Sequence, residues 1–371
     1  MRIALFYHSV ISDWNNGHAH FLRGYATELV LRGHDVRIYE PANAWSVENL
    51  VREHGHGPLD GFRAAYPLLR SIRYDVETFD VDVALDGVDL AVVHEWNDTC
   101  LVRRIGETRR SSPRLRLLFH DSHHRVATDA AGMARYDLSN YDGVLAFGSV
   151  VREIYVREGW AENAWTWHEA ADVRVFKPLA DVAKTQDIAW IGNWGDEERT
   201  GELTEFLLGP AHRLGLTGVV HGVRYPPEGL RAVTDAGLTY AGWIPNHEVP
   251  RVFATSRVTV HVPRRSYATA LPGIPTIRPF EALACGIPLV SAPWRDEEQL
   301  FTAGRDYLVA RNGAEMQSLL REVLSDAALG RELAQHGRET ILARHTCAHR
   351  VDELLSIHAG LTTATALRDA G

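Results

Sequence analysis

Residues 276–293, TIRPFEALACGIPLVSAP, decide the fold. Their pattern predicts a short helix that Arg278 and Glu281 open and Gly286 ends, followed at once by a buried strand over 289–291. A helix N-terminus carries partial positive charge and unpaired N–H groups, so it can bind phosphate, and a carboxylate in the first turn can accept hydrogen bonds from a ribose diol. The alternative interpretation is an ordinary buried crossover between two parallel strands.

The composition is typical of a soluble globular protein, with 45% hydrophobic and 23% charged residues in a chain of 371 residues that is long enough for two domains. A formal net charge of −9 argues against a general nucleic-acid binder. The three cysteines (Cys100, Cys285 and Cys347) are far apart, which favours a reducing compartment such as the cytoplasm and excludes a disulfide scaffold. No apolar run reaches the roughly 20 residues that span a bilayer, so no integral membrane segment is expected.

Short buried strands alternate with helices along most of the chain. Strands are predicted at residues 3–7, 35–39, 90–94, 115–119 and 143–147, and again at 187–191, 218–220, 239–240, 258–261 and 288–290, and a helix is predicted over 19–32. This alternation predicts α/β architecture with two doubly wound parallel sheets. We place the N-terminal domain at 1–178, the C-terminal domain at 179–345, and a C-terminal helix with a flexible tail at 346–371.

Polar clusters follow several of these strands at their carboxyl ends, where ligands of doubly wound sheets bind. They lie at residues 8–17, 94–97, 120–125 and 192–194. The densest is HDSHHR at 120–125, whose histidines can hold sugar hydroxyls, act as acid or base, or simply be structural. A third interpretation, zinc binding by His120, Asp121 and His123, lacks the usual ligand spacing.

The segment IGNWGDEERT, residues 191–200, leaves a predicted strand through Gly192 and reaches Arg199. Backbone N–H groups together with a guanidinium suit a pyrophosphate. The alternative is that Arg199 only pairs with Asp196 or Glu202. A DxD string at Asp80–Asp82 alternates with apolar residues, and we interpret it as a solvated surface turn rather than a metal site.

Three segments together resemble the GT-B glycosyltransferases, in particular the family-4-type retaining enzymes and their CgeB-like relatives. They are RPFEALACGIPLVSA at 278–292, HEAADVRVFKP at 168–178 and GWIPNHEVPRVFATSRV at 242–258. The resemblance extends over most of the chain. It implies two Rossmann-like domains that face each other across a cleft, with the acceptor on the N-terminal side and the nucleotide-sugar donor on the C-terminal side.

The resemblance also implies roles for individual residues. His120 and Glu281 are catalytic candidates, because they match the family's sugar-contacting histidine and ribose-binding glutamate. Arg199 is the third, on the strength of its own segment after Gly192. The donor-binding candidates are Gly192, Asn193, Trp243, Ile244, Pro245, Gly273, Arg278, Glu281 and Ala282. The acceptor-binding candidates are Asn15, Asn16, Gly17, His94, Glu95, His123 and His124. No metal and no cofactor are expected.

One departure from the family concerns Gly273. The family pairs two glutamates with seven residues between them, and Gly273 stands where the first would be. The expected function is retaining transfer of a sugar from a nucleotide-diphosphate donor to an unidentified acceptor. A non-catalytic nucleotide-sugar-binding protein, and an epimerase or phosphorylase on the same fold, are the alternatives.

Overall fold

Two parallel β-sheets organise the chain, for which the computed structural model describes residues 1–195 and 198–369. The strands are β1 (Arg2–Phe6), β2 (Asp35–Pro41), β3 (Ser71–Tyr74), β4 (Leu90–His94), β5 (Arg116–Asp121), β6 (Gly143–Ala146), β7 (Ala164–Thr166), β8 (Gln186–Ile191), β9 (Gly218–His221), β10 (Leu238–Gly242), β11 (Ser256–His261), β12 (Leu289–Ser291) and β13 (Leu308–Val309). The α-helices are α1 (Ala19–Leu31), α2 (Trp45–His54), α3 (Gly57–Ala65), α4 (Val81–Leu85), α5 (Thr99–Ser111), α6 (Arg125–Thr128), α7 (Ala130–Met133), α8 (Ser149–Arg157), α9 (Thr200–Leu203), α10 (Gly209–Leu214), α11 (Pro227–Asp235), α12 (Val249–Thr255), α13 (Arg265–Ala270), α14 (Ile277–Cys285), α15 (Gly313–Ser325), α16 (Ala327–Arg344) and α17 (Cys347–Asp369). A π-helical segment at Thr204–Leu208 and a 3₁₀ turn at Asn246–Glu248 complete the helical structure of the described residues.

The first unit comprises Met1–Glu169 and the chain from Cys347 onward. Its sheet has the order β3-β2-β1-β4-β5-β6-β7 with all neighbours parallel. The central strands β4 and β5 are buried along their whole length, as expected for a parallel sheet covered on both faces. Because β1 has β2 on one side and β4 on the other, the chain reverses its winding between β1 and β4.

The second unit, Ala170–Thr346, repeats this topology with the sheet order β10-β9-β8-β11-β12-β13. Its reversal point lies between β8 and β11, which pair in parallel. The core packs Ile188, Val258 and Val290 of the sheet against helical residues such as Leu203 and Leu320. In each unit, ligands are therefore expected beyond the carboxyl ends of the two strands at the reversal point.

The short helix that was predicted from Arg278 to Gly286 is present as α14. α14 ends at Cys285, and Gly286 adopts the left-handed conformation (φ 65°) that commonly closes a helix. The strand β12 follows at Leu289–Ser291 as predicted. At the other end, Thr276 precedes the helix with φ 64°, a conformation that is uncommon for a residue other than glycine.

Other elements differ from the prediction. The strands β3, β7 and β13 were not predicted, and the first unit ends at Glu169 rather than at residue 178. The C-terminal helix belongs to the first unit, where α17 contacts α1, and it continues through the Thr/Ala-rich segment that was expected to be a tail. Residues 370–371 lie outside the described residues. Within the described part, no helix combines the length and apolar character needed to cross a membrane.

Candidate functional site

Arg199 lies at the reversal point of the second sheet. It is buried, and its guanidinium donates from Nη1 to the carbonyl of Val262 (3.0 Å) and from Nη2 to the carbonyl of Asn193. These two carbonyls belong to the segments that follow β11 and β8. The guanidinium also lies over the ring of Trp190, with 5.1 Å from Cζ to the ring centroid. Arg199 therefore joins the carboxyl ends of the two strands at which a ligand is expected.

The alternative prediction pairs Arg199 with Asp196 or Glu202. Glu202 pairs instead with the exposed Arg265, whose Nε lies 3.0 Å from its carboxylate. Asp196 lies outside the described residues. Within the described part of the chain, the guanidinium of Arg199 forms no ion pair with a carboxylate.

Positive charge accumulates around Arg199. Burial, with smaller effects from the charges of Arg264 and Arg278, lowers its pKa to about 10. Burial and the charges of Arg199 and Arg278 likewise lower the pKa of His261, at the end of β11, to about 3. A cation whose pKa is lowered in this way gains free energy when an anion binds beside it.

The loop after β8 is shaped by close packing. A Cβ on Gly192 would lie 1.9 Å from the indole of Trp190, so only glycine fits beneath that ring. The side-chain oxygen of Asn193 accepts a hydrogen bond from the backbone N–H of Val223 (2.9 Å), which ties this loop to the segment after β9. Gly192 and Asn193 thus hold the loop from which Arg199 is positioned.

Glu281 is fully buried on α14. Its Oε2 accepts from Arg278 one turn earlier, and its Oε1 accepts from the side-chain amide of Asn246 at 2.8 Å. Both carboxylate oxygens therefore have protein partners, and a ribose diol has to share them. Sequence reasoning missed Asn246, although it directly follows the half-buried segment Trp243–Pro245 that was predicted to contact the base.

The two remaining donor candidates lie around α14. Ala282 is fully buried in the helix, next to Glu281. Gly273 precedes the helix with φ 87°, and a Cβ at this position would lie 2.8 Å from Oε1 of Glu298. The carboxyl group of Glu298 thus occupies the space beside Gly273 in which a side chain would begin.

His120 closes β5 in the first unit and is fully buried. Its Nδ1 is hydrogen-bonded to the hydroxyl of Tyr7 at 2.6 Å, and Tyr25 donates in turn to Tyr7 at 2.8 Å. Burial, with a smaller effect from His18, holds the pKa of His120 well below its usual value, so the ring is neutral. Its Nε2 has no hydrogen-bond partner among the described residues, so this nitrogen is available to a ligand or a water molecule.

Three histidines, His18, His94 and His120, bring their ring nitrogens within 4.8 Å of one another at the reversal point of the first sheet. Sequence reasoning missed His18. The rings of His18 and His94 are stacked, with centroids 4.6 Å apart and planes inclined by 19°. Since the lone pairs of imidazole lie in the ring plane, stacked rings direct them side by side rather than toward one point, which suits hydroxyl binding better than metal coordination.

Asp121 and His123, two of the three residues in the zinc interpretation, make other contacts. The carboxylate of Asp121 accepts hydrogen bonds from the backbone N–H of His123 (3.0 Å) and from the hydroxyl of Tyr155 (2.8 Å). His123 packs against His124, with ring centroids 4.0 Å apart, and Nδ1 of His124 is hydrogen-bonded to the hydroxyl of Thr128 at 2.8 Å.

Glu95 is also fully buried, and its carboxylate accepts from Nε of Arg125 at 2.9 Å. Burial and the neighbouring Asp121 raise the pKa of Glu95, while Arg125 opposes that rise. In the loop after β1, the amide of Asn16 donates to the carbonyls of Ser9 and Ser12. Asn15 has φ 48°, and Gly17 is exposed. Of the acceptor candidates, Glu95 and Asn16 thus make structural contacts within the first unit.

Comparison with known proteins places these features in context. Residues 199–356 match a family model described as glycosyl transferase-like, and the match begins at Arg199. No curated protein matches the chain. Solved structures share its fold: sucrose-phosphate synthase from Thermosynechococcus elongatus has 17% identity and a TM-score of 0.67, covering 98% of this chain and 100% of its own.

Two other structures are similar over the whole chain. HepE from Anabaena, in complex with UDP and glucose, has 13% identity and a TM-score of 0.65, with 97% of this chain and 100% of that chain covered. An α-glucosyltransferase in complex with UDP and a 13-mer DNA has 14% identity and a TM-score of 0.66, with 97% and 99% covered. The predicted α/β fold of the GT-B type, with two doubly wound units, is therefore confirmed.

The lowered pKa of His261 predicts acid sensitivity of the second unit. Between pH 6.5 and about 3, His261 binds a proton in the unfolded chain but not in the folded one, so stability present above pH 6.5 is lost as the pH falls. From pH 7 to pH 5 this one group should lower the free energy of unfolding by about 2 kcal/mol. Urea unfolding at both pH values should give a smaller loss for His261→Asn than for the wild type. The exposed His212→Asn in the same unit serves as the control, and equal losses in all three proteins would contradict the assignment.

Proposed function

We propose that this protein is a glycosyltransferase, which moves a sugar from a nucleoside-diphosphate donor to an acceptor hydroxyl. The observation that carries the proposal is Arg199, a buried guanidinium at the reversal point of the second sheet that bonds only main-chain carbonyls among the described residues. A buried cation that forms no ion pair is costly unless an anion binds. The diphosphate of a nucleotide-sugar is such an anion, and the glycosyl transferase-like family match covers this region.

In this proposal the second unit binds the donor. The diphosphate contacts Arg199 and the N-terminal N–H groups of α14, which stabilise negative charge on the leaving group. Glu281 accepts from the ribose diol, while Arg278 and Asn246 hold its carboxylate in place. Trp243–Pro245, which precedes Asn246, contacts the base.

The reaction exchanges one bond for another. The acceptor oxygen bonds to the anomeric carbon, the bond from that carbon to the phosphate oxygen breaks, and the nucleoside diphosphate leaves with the electron pair. The proton of the acceptor hydroxyl passes to the departing phosphate or to water. We propose retention of configuration, in line with the resemblance to the retaining, CgeB-like enzymes. We also propose that no divalent metal is required, because guanidinium groups and a helix N-terminus supply the positive charge.

Gly273 stands where such enzymes carry a glutamate, and Glu298 offers a replacement. Its carboxyl group lies beside Gly273, in the space that a side chain at that position would enter. We assign to Glu298 the contact with the donor sugar that Gly273 cannot make.

The first unit, in this proposal, supplies the contacts to the transferred sugar and the acceptor. His120 is neutral and has an unpartnered buried nitrogen, which suits a sugar hydroxyl. The net charge of −9 disfavours a nucleic-acid acceptor. Three free cysteines fit a reducing compartment, so we propose that the protein acts in the cytoplasm.

The function is tested by calorimetry with UDP, GDP, TDP and ADP, followed by product analysis with the matching labelled nucleotide-sugars in EDTA. We expect one nucleoside diphosphate to bind, and at ~100 times its dissociation constant to stabilise the protein by about 2.7 kcal/mol. Its sugar should then be transferred or hydrolysed in the chelator. Binding without turnover of any donor would favour the nucleotide-sugar-binding alternative. Turnover lost in EDTA and restored by one metal would contradict metal independence.

Arg199→Ala should lower the affinity for the nucleoside diphosphate by roughly 10- to 100-fold, because a charge-assisted hydrogen bond contributes about 1.5–3 kcal/mol. The affinity for the free nucleoside should change little. Arg265→Ala, which removes an exposed arginine close by, is the matched control. Equal losses for nucleoside and nucleoside diphosphate in calorimetry would remove Arg199 from the phosphate site.

His120→Ala should reduce turnover by about 100-fold or more with little effect on nucleotide affinity, because the contact matters for the transferred sugar rather than for the nucleotide. His123→Ala and His124→Ala should reduce transfer to an acceptor more than hydrolysis of the donor. Melting temperatures of the three variants distinguish a structural role. A His120→Ala protein that melts early yet turns over normally per folded molecule would assign the residue to the scaffold.

A further inference from the structure

A pocket with a volume of about 1020 Å³ opens in the first unit beyond the carboxyl ends of β2, β3 and β4. Its wall includes Trp45 at the start of α2 and Trp96 in the turn after β4. The lining differs from the residues that the sequence assigned to the acceptor. Small-molecule sites span roughly 300–1,000 Å³, so this pocket has room for a ligand larger than one sugar ring.

Two tryptophans form a fixed corner of this pocket. The indoles of Trp45 and Trp96 lie with centroids 6.3 Å apart and planes inclined by 69°. His8 stacks on Trp45 at 4.5 Å, and the guanidinium of Arg125 lies over Trp96 at 4.6 Å from the centroid. Each ring is thus held from one side, while Trp96 keeps 38% of its surface exposed. Exposing the apolar surface of an indole to water is unfavourable, so a ligand that covers the ring of Trp96 gains hydrophobic free energy.

The charges around the pocket balance. Three arginines and three carboxylates line it: Arg104, Arg125, Arg135, Asp75, Glu77 and Asp98. His8 adds no charge near neutral pH, because burial lowers its pKa to about 4. A polyanion would meet the carboxylates and a cation would meet the arginines, so the lining favours a neutral ligand.

Hydrogen-bonding groups remain available at the exposed rim. The side chains of Asn43, Glu77 and Arg135 are exposed and make no hydrogen bond or ion pair among the described residues. A purely apolar ligand would cover these groups without giving them hydrogen-bond partners, which costs free energy. The pocket therefore combines flat aromatic surfaces with donors and acceptors around them.

A neutral saccharide has the matching chemistry, since its ring presents C–H groups on a flat face and hydroxyls around its edge. The C–H face packs on an indole, and the hydroxyls exchange hydrogen bonds with the rim. We propose that this pocket binds a neutral oligosaccharide, and that this oligosaccharide is the acceptor of the transfer reaction. The second half of this inference rests on the proposed function, whereas saccharide binding by the pocket does not.

The test is calorimetry of the full chain with neutral trisaccharides of glucose, galactose, mannose and N-acetylglucosamine. We expect at least one to bind, and Trp96→Ala to weaken that binding tenfold or more, with Trp96→Phe recovering most of it. Trp160→Ala, a half-buried tryptophan outside the pocket, is the matched control and should bind as the wild type does. Melting temperatures of the variants verify folding, since the exposed Trp96 contributes little to the core.

The affinity for the nucleoside diphosphate, measured on the same proteins, separates the two proposals. If the nucleotide binds but no trisaccharide does, or if Trp96→Ala binds as tightly as the wild type, the pocket inference is overturned and the proposed function stands. If a trisaccharide binds through Trp96 but no nucleoside diphosphate binds, the saccharide site stands and the proposed transfer fails. Preferential binding of a 13-mer single-stranded DNA or of anionic phospholipid vesicles, sensitive to Trp96→Ala, would also overturn the inference.

Discussion

The second unit depends on one buried guanidinium. Where a doubly wound sheet reverses, the segments after β8 and β11 leave in different directions, and their carbonyls lose the partners that a continuous ladder would give them. Arg199 donates to a carbonyl of each segment and rests on the ring of Trp190. That ring in turn leaves space for nothing larger than Gly192. One charged side chain therefore sets the geometry of the loop and the charge of the site together.

The two sheets have the same strand order around the reversal point but differ in the charge of the residues there. In the second unit, burial and, to a smaller extent, neighbouring positive charges lower the pKa values of Arg199 and His261. In the first unit, burial keeps His94 and His120 neutral by lowering their pKa values. A cationic site selects phosphate, and a neutral site lined by imidazole nitrogens suits hydroxyl groups. One fold used twice thus offers two chemically different sites.

Local patterns in the sequence predicted the features that depend on neighbours along the chain. The helix stop at Gly286 and the following strand β12 were correct because glycine and a short apolar run act within a few residues. The strands β3 and β7 were missed, since they are three or four residues long and carry no alternation that separates them from a connector. Pairing with a neighbouring strand at the edge of the sheet, rather than intrinsic propensity, forms such strands.

In the candidate site, too, the sequence predicted what depends on nearby residues and missed what depends on distant ones. Arg199 and Glu281 were identified from their own segments, yet the partners that lie far away in the sequence were not. Asn246 is 35 residues from Glu281, and Val262 is 63 residues from Arg199. Tyr7 and His120 are separated by 113 residues. Such contacts depend on which strands become neighbours in the sheet, and no pattern in a single sequence records that directly.

The place of α17 bears on how the protein is made. The first unit is discontinuous, because its last helix is synthesised only after all of Ala170–Thr346. Trp167 donates from its indole nitrogen to the carbonyl of Arg350, so the core of that unit lacks this partner until α17 leaves the ribosome. The second unit is a continuous segment and can fold as soon as it emerges. The first unit is therefore begun before the second unit but completed after it. During synthesis, the second unit can fold while the first unit still lacks its last helix.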